Sequence, residues 1–202
     1  SQLQIKFISV MEELGTLVYV TISKNKFNNY KNGITSRDAV FFMLFLFIFV
    51  KTKKYFMYEI IKQIHSGWAY LAFLLLVIAV VNSLIGLLSK KEYVATDKKI
   101  GLYALGTIHT QVVIGFIIYF VSPNGFLNIV NLGMGEVMKS AELRLTVVEH
   151  PFVNILGVVL MTVGWVKHKK LTSSESKFKT VTIYYGLALA FFISRIPWNL
   201  WF

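Results

Sequence analysis

The chain has 202 residues, of which 55% are hydrophobic, 15% aromatic and only 15% charged, with a formal net charge of +11. Soluble domains carry about 25% charged residues, so this composition excludes an ordinary water-facing surface and favours the lipid bilayer as solvent. The basic residues sit in short clusters between apolar runs, which argues against nucleic acid as partner, and the absence of cysteine excludes disulfides, Fe–S clusters, thiolate metal sites and covalent c-type haem.

Residues 1–56 are rich in Lys, Asn, Phe and Ile and show neither a signal-peptide cleavage pattern nor a sustained periodicity. Their one apolar run, 39–50, has 12 residues, short of the roughly 17–25 needed to span a bilayer. Were that run to span, Lys51, Lys53 and Lys54 would hold its end in the cytoplasm and push the later basic loops outside. A start at Met57 removes the conflict. Residues 1–56 are therefore expected to be an upstream extension or a disordered or interfacial arm.

Four membrane-length segments follow, at about 64–88, 100–121, 145–166 and 181–198. At 1.5 Å per residue each approaches the ~30 Å thickness of the hydrocarbon layer. Lys90, Lys91, Lys98 and Lys99 lie between the first two, and Lys167, Lys169, Lys170, Lys177 and Lys179 between the last two. The positive-inside rule makes both of these loops cytoplasmic, leaving the loop 122–144 and both ends of 57–202 on the periplasmic side. Gly125, Gly133 and Gly135, with Pro123 and Asn124, mark that outer loop as turn-rich. Short inner loops and alternating direction predict an all-α, integral membrane, antiparallel four-helix bundle.

Ionisable groups inside such a bundle are costly and point to function. With each helix midpoint taken as the membrane centre, His109 falls near the midplane, and His150 about 8 Å toward the outside. His65 falls at the outer rim of its helix, and Arg195 in the outer half of the fourth. Three histidines on three helices suit an iron or copper site when cysteine is absent. Two imidazoles on facing helices can also clamp a haem iron, with arginines pairing to its propionates. Gly67, Gly106, Gly115 and Gly157 would either make room for a flat macrocycle or let helices approach closely. Glu149 is expected to orient an imidazole or to bridge to Arg144 or Arg195. His168, in a Lys-rich inner loop, reads as a solvated residue, and Asn82 and Ser83 as hydrogen-bonding groups between helices, Asn82 with the further option of lining a quinone or proton path.

Several blocks carry a family resemblance: Ile64-His65-Ser66-Gly67-Trp68, Lys90-Lys91-Glu92-Tyr93, Ile108-His109-Thr110-Gln111 through Phe120-Val121-Ser122-Pro123, Glu149-His150-Pro151, and Arg195-Ile196-Pro197-Trp198. From Met57 onward the chain resembles small four-helix membrane proteins of Bacteroidetes labelled cytochrome b-like. The resemblance implies an inner (cytoplasmic) membrane protein that binds haem b through His65, His109 and His150. Joined with the depth argument, it makes His109 and His150 the expected axial ligands, His65 an alternate ligand or a quinone or propionate contact, and Arg144 and Arg195 propionate or quinone partners. The expected function is electron transfer between a membrane quinol and a partner. Two other readings stand beside it: a non-enzymatic accessory subunit of a respiratory or other membrane complex, whose histidines only tie helices together, and a His-based copper or iron site.

Overall fold

A computed structural model describes residues 36–201, without the side chains of 36–43, 46–55, Leu200 and Trp201. The expectation of an N-terminal arm therefore falls largely outside the described residues. The chain divides into two compact units, Ser1–Phe56 and Met57–Phe202, and the second carries every candidate site residue. No strand occurs among the described residues. The helices are α1 (Ser36–Leu88), α2 (Ala95–Val121), the short α3 (Leu127–Leu132) and α4 (Met134–Lys139), α5 (Ala141–Lys169), α6 (Ser174–Ser194) and the terminal turn α7 (Trp198–Trp201).

Each long helix turns a narrow stripe inward. Ala72, Leu76 and Ala79 of α1, Ala104, Leu105 and Ile108 of α2, Met161 and Trp165 of α5, and Val181, Tyr185, Ala188 and Phe192 of α6 form one buried core. Their steps of three, four and seven residues follow the helical period, so one face of each helix meets the centre. Pairings of residue numbers show that neighbours run in opposite directions. Trp68 Nε1 donates to Thr107 O at 3.0 Å while Asn82 Nδ2 donates to Asp97 Oδ1 at 2.9 Å, so α1 and α2 are antiparallel. Gly157 faces Phe192 and Gly164 faces Tyr184, so α5 and α6 are antiparallel and in close contact.

The remaining surface is largely apolar, with exposed side chains such as Leu74, Ile78, Phe116, Ile117, Phe152 and Val159. Among the described residues, three helical stretches are long and apolar enough to cross a membrane: Phe56–Leu88, Ala95–Val121 and Ala141–Lys169. An outward apolar face on spans of this length is what lipid contact requires. α6 is not among the three, because its first turns carry Glu175, Lys177 and Lys179.

The helix ends differ from the sequence expectation for local reasons. α2 begins at Ala95, five residues before 100, because the Asp97 carboxylate reaches back to the Val94 N–H at 3.0 Å and caps the first turn. α6 begins at Ser174, capped by Ser173, whose hydroxyl accepts from Ser176 N, and it stops at Ser194. Pro197 disfavours helix at the residue before it, so Trp198 belongs to α7 rather than to the fourth long helix. α1 passes through residue 64 without a break and places His65 well inside a helix. The run 39–50 lies within α1 as well.

α5 carries a π turn at Leu145–Glu149, where the His150 N–H reaches Leu145 O. Pro151 follows at once; it has no N–H to offer the preceding turn, and the wider turn takes up the mismatch. In the connection between α2 and α5, Gly133 has φ +80°, a left-handed conformation in which a side chain is strained, and it separates α3 from α4. At Gly125 any Cβ would collide with Tyr119 O, where Phe126 N bonds at 2.9 Å.

Candidate functional site

One polar cluster of the second unit is assembled from α1, α2, α5 and the end of α6. His65 on α1 and His150 on α5 face each other, with ring centroids 6.5 Å apart and ring planes at 79°. Gln111 of α2 donates through Nε2 to His65 O at 3.0 Å and lies 3.3 and 3.4 Å from the two ring nitrogens of His65. Its Oε1 is buried without a partner. Gly115, one turn further along α2, gives the imidazole its space, since a Cβ there would sit 3.4 Å from His65 Cε1.

His150 is oriented from behind. Its Nδ1 lies 2.8 Å from Arg195 O and 3.1 Å from Asn154 Nδ2. A carbonyl at that distance holds the proton on Nδ1 and leaves Nε2 as the basic nitrogen, the arrangement that orients a ligating imidazole. The carbonyl is available because α6 has just ended and Arg195 is its C-cap. The same residue serves twice: Arg195 Nε pairs with Glu149 Oε2 at 3.2 Å, while Arg144 Nε pairs with Glu149 Oε1 at 2.9 Å. Glu149 is thus clamped between both arginines, as its ion-pair reading anticipated. Arg144 also donates to Met138 O at 3.0 Å and Arg195 to Ser194 O at 2.8 Å.

His109 lies elsewhere. It is exposed, its Nδ1 is 2.8 Å from Leu105 O in the preceding turn, and its Nε2 is 3.3 Å from Thr162 Oγ1. Thr162 is twelve residues beyond His150 on the same helix, ~18 Å along the axis. The histidines brought together are therefore His65 and His150, not the His109 and His150 of the depth argument. Among the described residues no group of three or more His, Asp or Glu side chains converges as a metal cage.

The glycines divide. Gly115 borders His65, and Gly157 and Gly164 are filled by Phe192 and Tyr184, while Cβ atoms on Gly67 and Gly106 would meet open space. Close helix packing accounts for Gly157.

The end of the unit where α1 passes into α2 holds a second group that the sequence reading missed in part. Asn82 bonds between helices as anticipated, and its partner is Asp97, whose side chain is 1% exposed. Asp97 also accepts from Lys91 Nζ at 2.8 Å and from Val94 N. The signal was available: a carboxylate three residues into a helix is an N-terminal cap, legible only once the helix is begun at Ala95. His168 is buried, not solvated, and packs against Trp165 at 5.0 Å and Tyr93 at 4.9 Å between ring centroids.

Comparison of the chain with family models, with curated proteins and with solved structures finds no match in any of the three. The fold alone gives its class: among the described residues it is all-helical, with three apolar helices of membrane-spanning length, compatible with bilayer contact.

Proposed function

We propose that the protein is a four-helix inner-membrane carrier of a b-type haem, with His65 and His150 as the axial pair and one-electron transfer as its activity. The observation that carries the reading is the spacing of the two rings. Imidazole nitrogens 2.0–2.1 Å from a shared metal put their ring centroids roughly 6 Å apart, and the observed separation is 6.5 Å. His150 offers Nε2 because its other nitrogen faces Arg195 O.

The donor set favours haem over a bare ion. Copper, iron or zinc held by protein alone calls for three or four ligands, and only two imidazoles converge. A haem would bring most of its iron's ligands with it and would need no more than two imidazoles from the chain. When bound, it would supply a reversible Fe(III)/Fe(II) couple. The chain's own residues would hold and orient it: His65 and His150 would ligate, with Arg195 O fixing the His150 tautomer and Gly115 leaving room beside His65. Arg144 and Arg195 stand next to the pair, though both are engaged by Glu149. Gln111 lies against the His65 ring and must turn aside for a nitrogen of that ring to ligate.

α6 completes the bundle as a fourth crossing in this reading, its basic first turns lying at the cytoplasmic surface and its apolar remainder in lipid. That places the His65–His150 pair in the periplasmic half. The accessory-subunit reading has its own support: His109 is bonded within its helix and to α5, as a histidine that only joins helices would be.

Visible spectra of the purified full chain, before and after dithionite, separate these readings. A Soret band is expected, reshaped or lost in His65→Ala and His150→Ala and retained in His109→Ala. A colourless protein refutes haem binding, and a spectrum lost only in His109→Ala refutes the ligand pair.

A further inference from the structure

At the opposite end from the histidine pair, a surface cleft of about 370 Å³ opens between the loop before α2, the end of α5 and the start of α6. Tyr93, Lys98, His168, Lys169 and Lys177 line it. Three of the five are lysines from three helices, and no carboxylate pairs with any of them among the described residues. The nearby carboxylate, Asp97, is already taken by Lys91 at 2.8 Å. The cleft therefore holds an uncompensated positive charge.

Two of its polar groups are buried without a partner. His168 is 2% exposed and neither of its ring nitrogens has a hydrogen bond, and the Tyr93 hydroxyl is likewise orphaned. An unsatisfied buried donor costs roughly 1–3 kcal/mol, so these groups need something to bond. Burial and the Asp97 carboxylate push the Tyr93 phenol above its ordinary range, so it stays a neutral donor at physiological pH. Trp165 and Tyr93 pack around the His168 imidazole and hold it in place.

We propose that this cleft binds a phosphate-bearing anion, with Lys98, Lys169 and Lys177 supplying charge and His168 and Tyr93 the short-range hydrogen bonds. The chemistry is that of a phosphodiester headgroup or of free phosphate. The site is independent of the histidine pair and does not depend on haem.

The test uses the full chain in nanodiscs. Melting is compared in phosphatidylcholine alone, in phosphatidylcholine with phosphatidylglycerol, and in phosphatidylcholine with added inorganic phosphate at constant ionic strength. Stabilisation by several degrees with phosphatidylglycerol assigns the site to a lipid headgroup; stabilisation by inorganic phosphate assigns it to a free anion. Either gain is expected to vanish in K98Q/K169Q/K177Q and to persist in K99Q/K170Q/K179Q, which removes equal charge beside the cleft. Since the three cleft lysines are on the surface, the variant is expected to fold. His168→Gln, melted in the same series, reports the buried contact and is expected to lose most of the gain. No stabilisation of the wild-type chain by either anion, or equal loss in the two triple variants, overturns the proposal in favour of diffuse charge attraction.

Discussion

Replacing Asp97 by Ala tests whether a single carboxylate joins the end of α1 to the start of α2. Three donors converge on it: Lys91 Nζ at 2.8 Å, Asn82 Nδ2 at 2.9 Å and Val94 N at 3.0 Å. Hydrogen bonds to a charged group contribute about 1.5–3 kcal/mol each, but the three do not sum. The Lys91 side chain is 42% exposed and regains water when its partner goes, so its share is small. The Val94 amide sits at a helix start where water can replace the cap, at roughly 1 kcal/mol. The Asn82 amide is left in a partly buried position with nothing to accept its hydrogen. A total near 3 kcal/mol follows, which for a chain of 150–250 residues lowers the melting temperature by roughly 6–12 °C. Thermal unfolding in detergent, followed by circular dichroism, measures it for D97A, N82A and the double variant. Because Asn82 and Asp97 touch, the double variant should lose less than the sum, with a coupling of about 0.5–3 kcal/mol. A D97A protein that melts with the wild type, or strictly additive losses, refutes the reasoning.

Four further substitutions probe the packing and the ion pairs of Glu149. Gly164→Ala places a Cβ against Tyr184 Cβ, an atom that cannot swing away, so overpacking of about 1–3 kcal/mol outweighs a helix-propensity gain of about 1 kcal/mol. Gly67→Ala and Gly106→Ala meet open space and should raise the melting temperature instead; the opposite order in a melting series contradicts the packing assignment. Glu149→Gln removes both arginine pairs, whose side chains are 31–46% exposed, so about 1 kcal/mol is expected to be lost. The gap between wild type and variant should narrow in 1 M salt, where the Debye length falls to about 3 Å, and a gap that holds constant points to a packing effect.

The existence of the helices was legible because long apolar stretches admit few structures in lipid, where every backbone group must be satisfied internally. Their ends were not, since these depend on single polar residues whose meaning is local. Asp97 and Ser173 extend α2 and α6 toward their N-termini through side-chain bonds to the backbone, and a hydropathy window sees both residues only as interruptions. His168 was misread for a related reason. Its lysine neighbours in sequence suggested water, while in space Trp165 lies one turn before it and Tyr93 arrives from another loop. The ion pairs of Glu149 were readable because Arg144 lies five residues before it, and Arg195 at the C-terminal end of α6.

The choice of histidine pair was not legible from depth. Midpoints of the apolar segments put His65 at the rim of its helix and so favoured His109 with His150, yet the rings that meet are those of His65 and His150, with centroids 6.5 Å apart. Depth still says nothing of which face a residue occupies. That came from the buried stripe Gly101, Ala104, Leu105 and Ile108, which turns α2 so that Gln111 and Gly115 face His65, while the ring of His109 is left exposed beside Thr162.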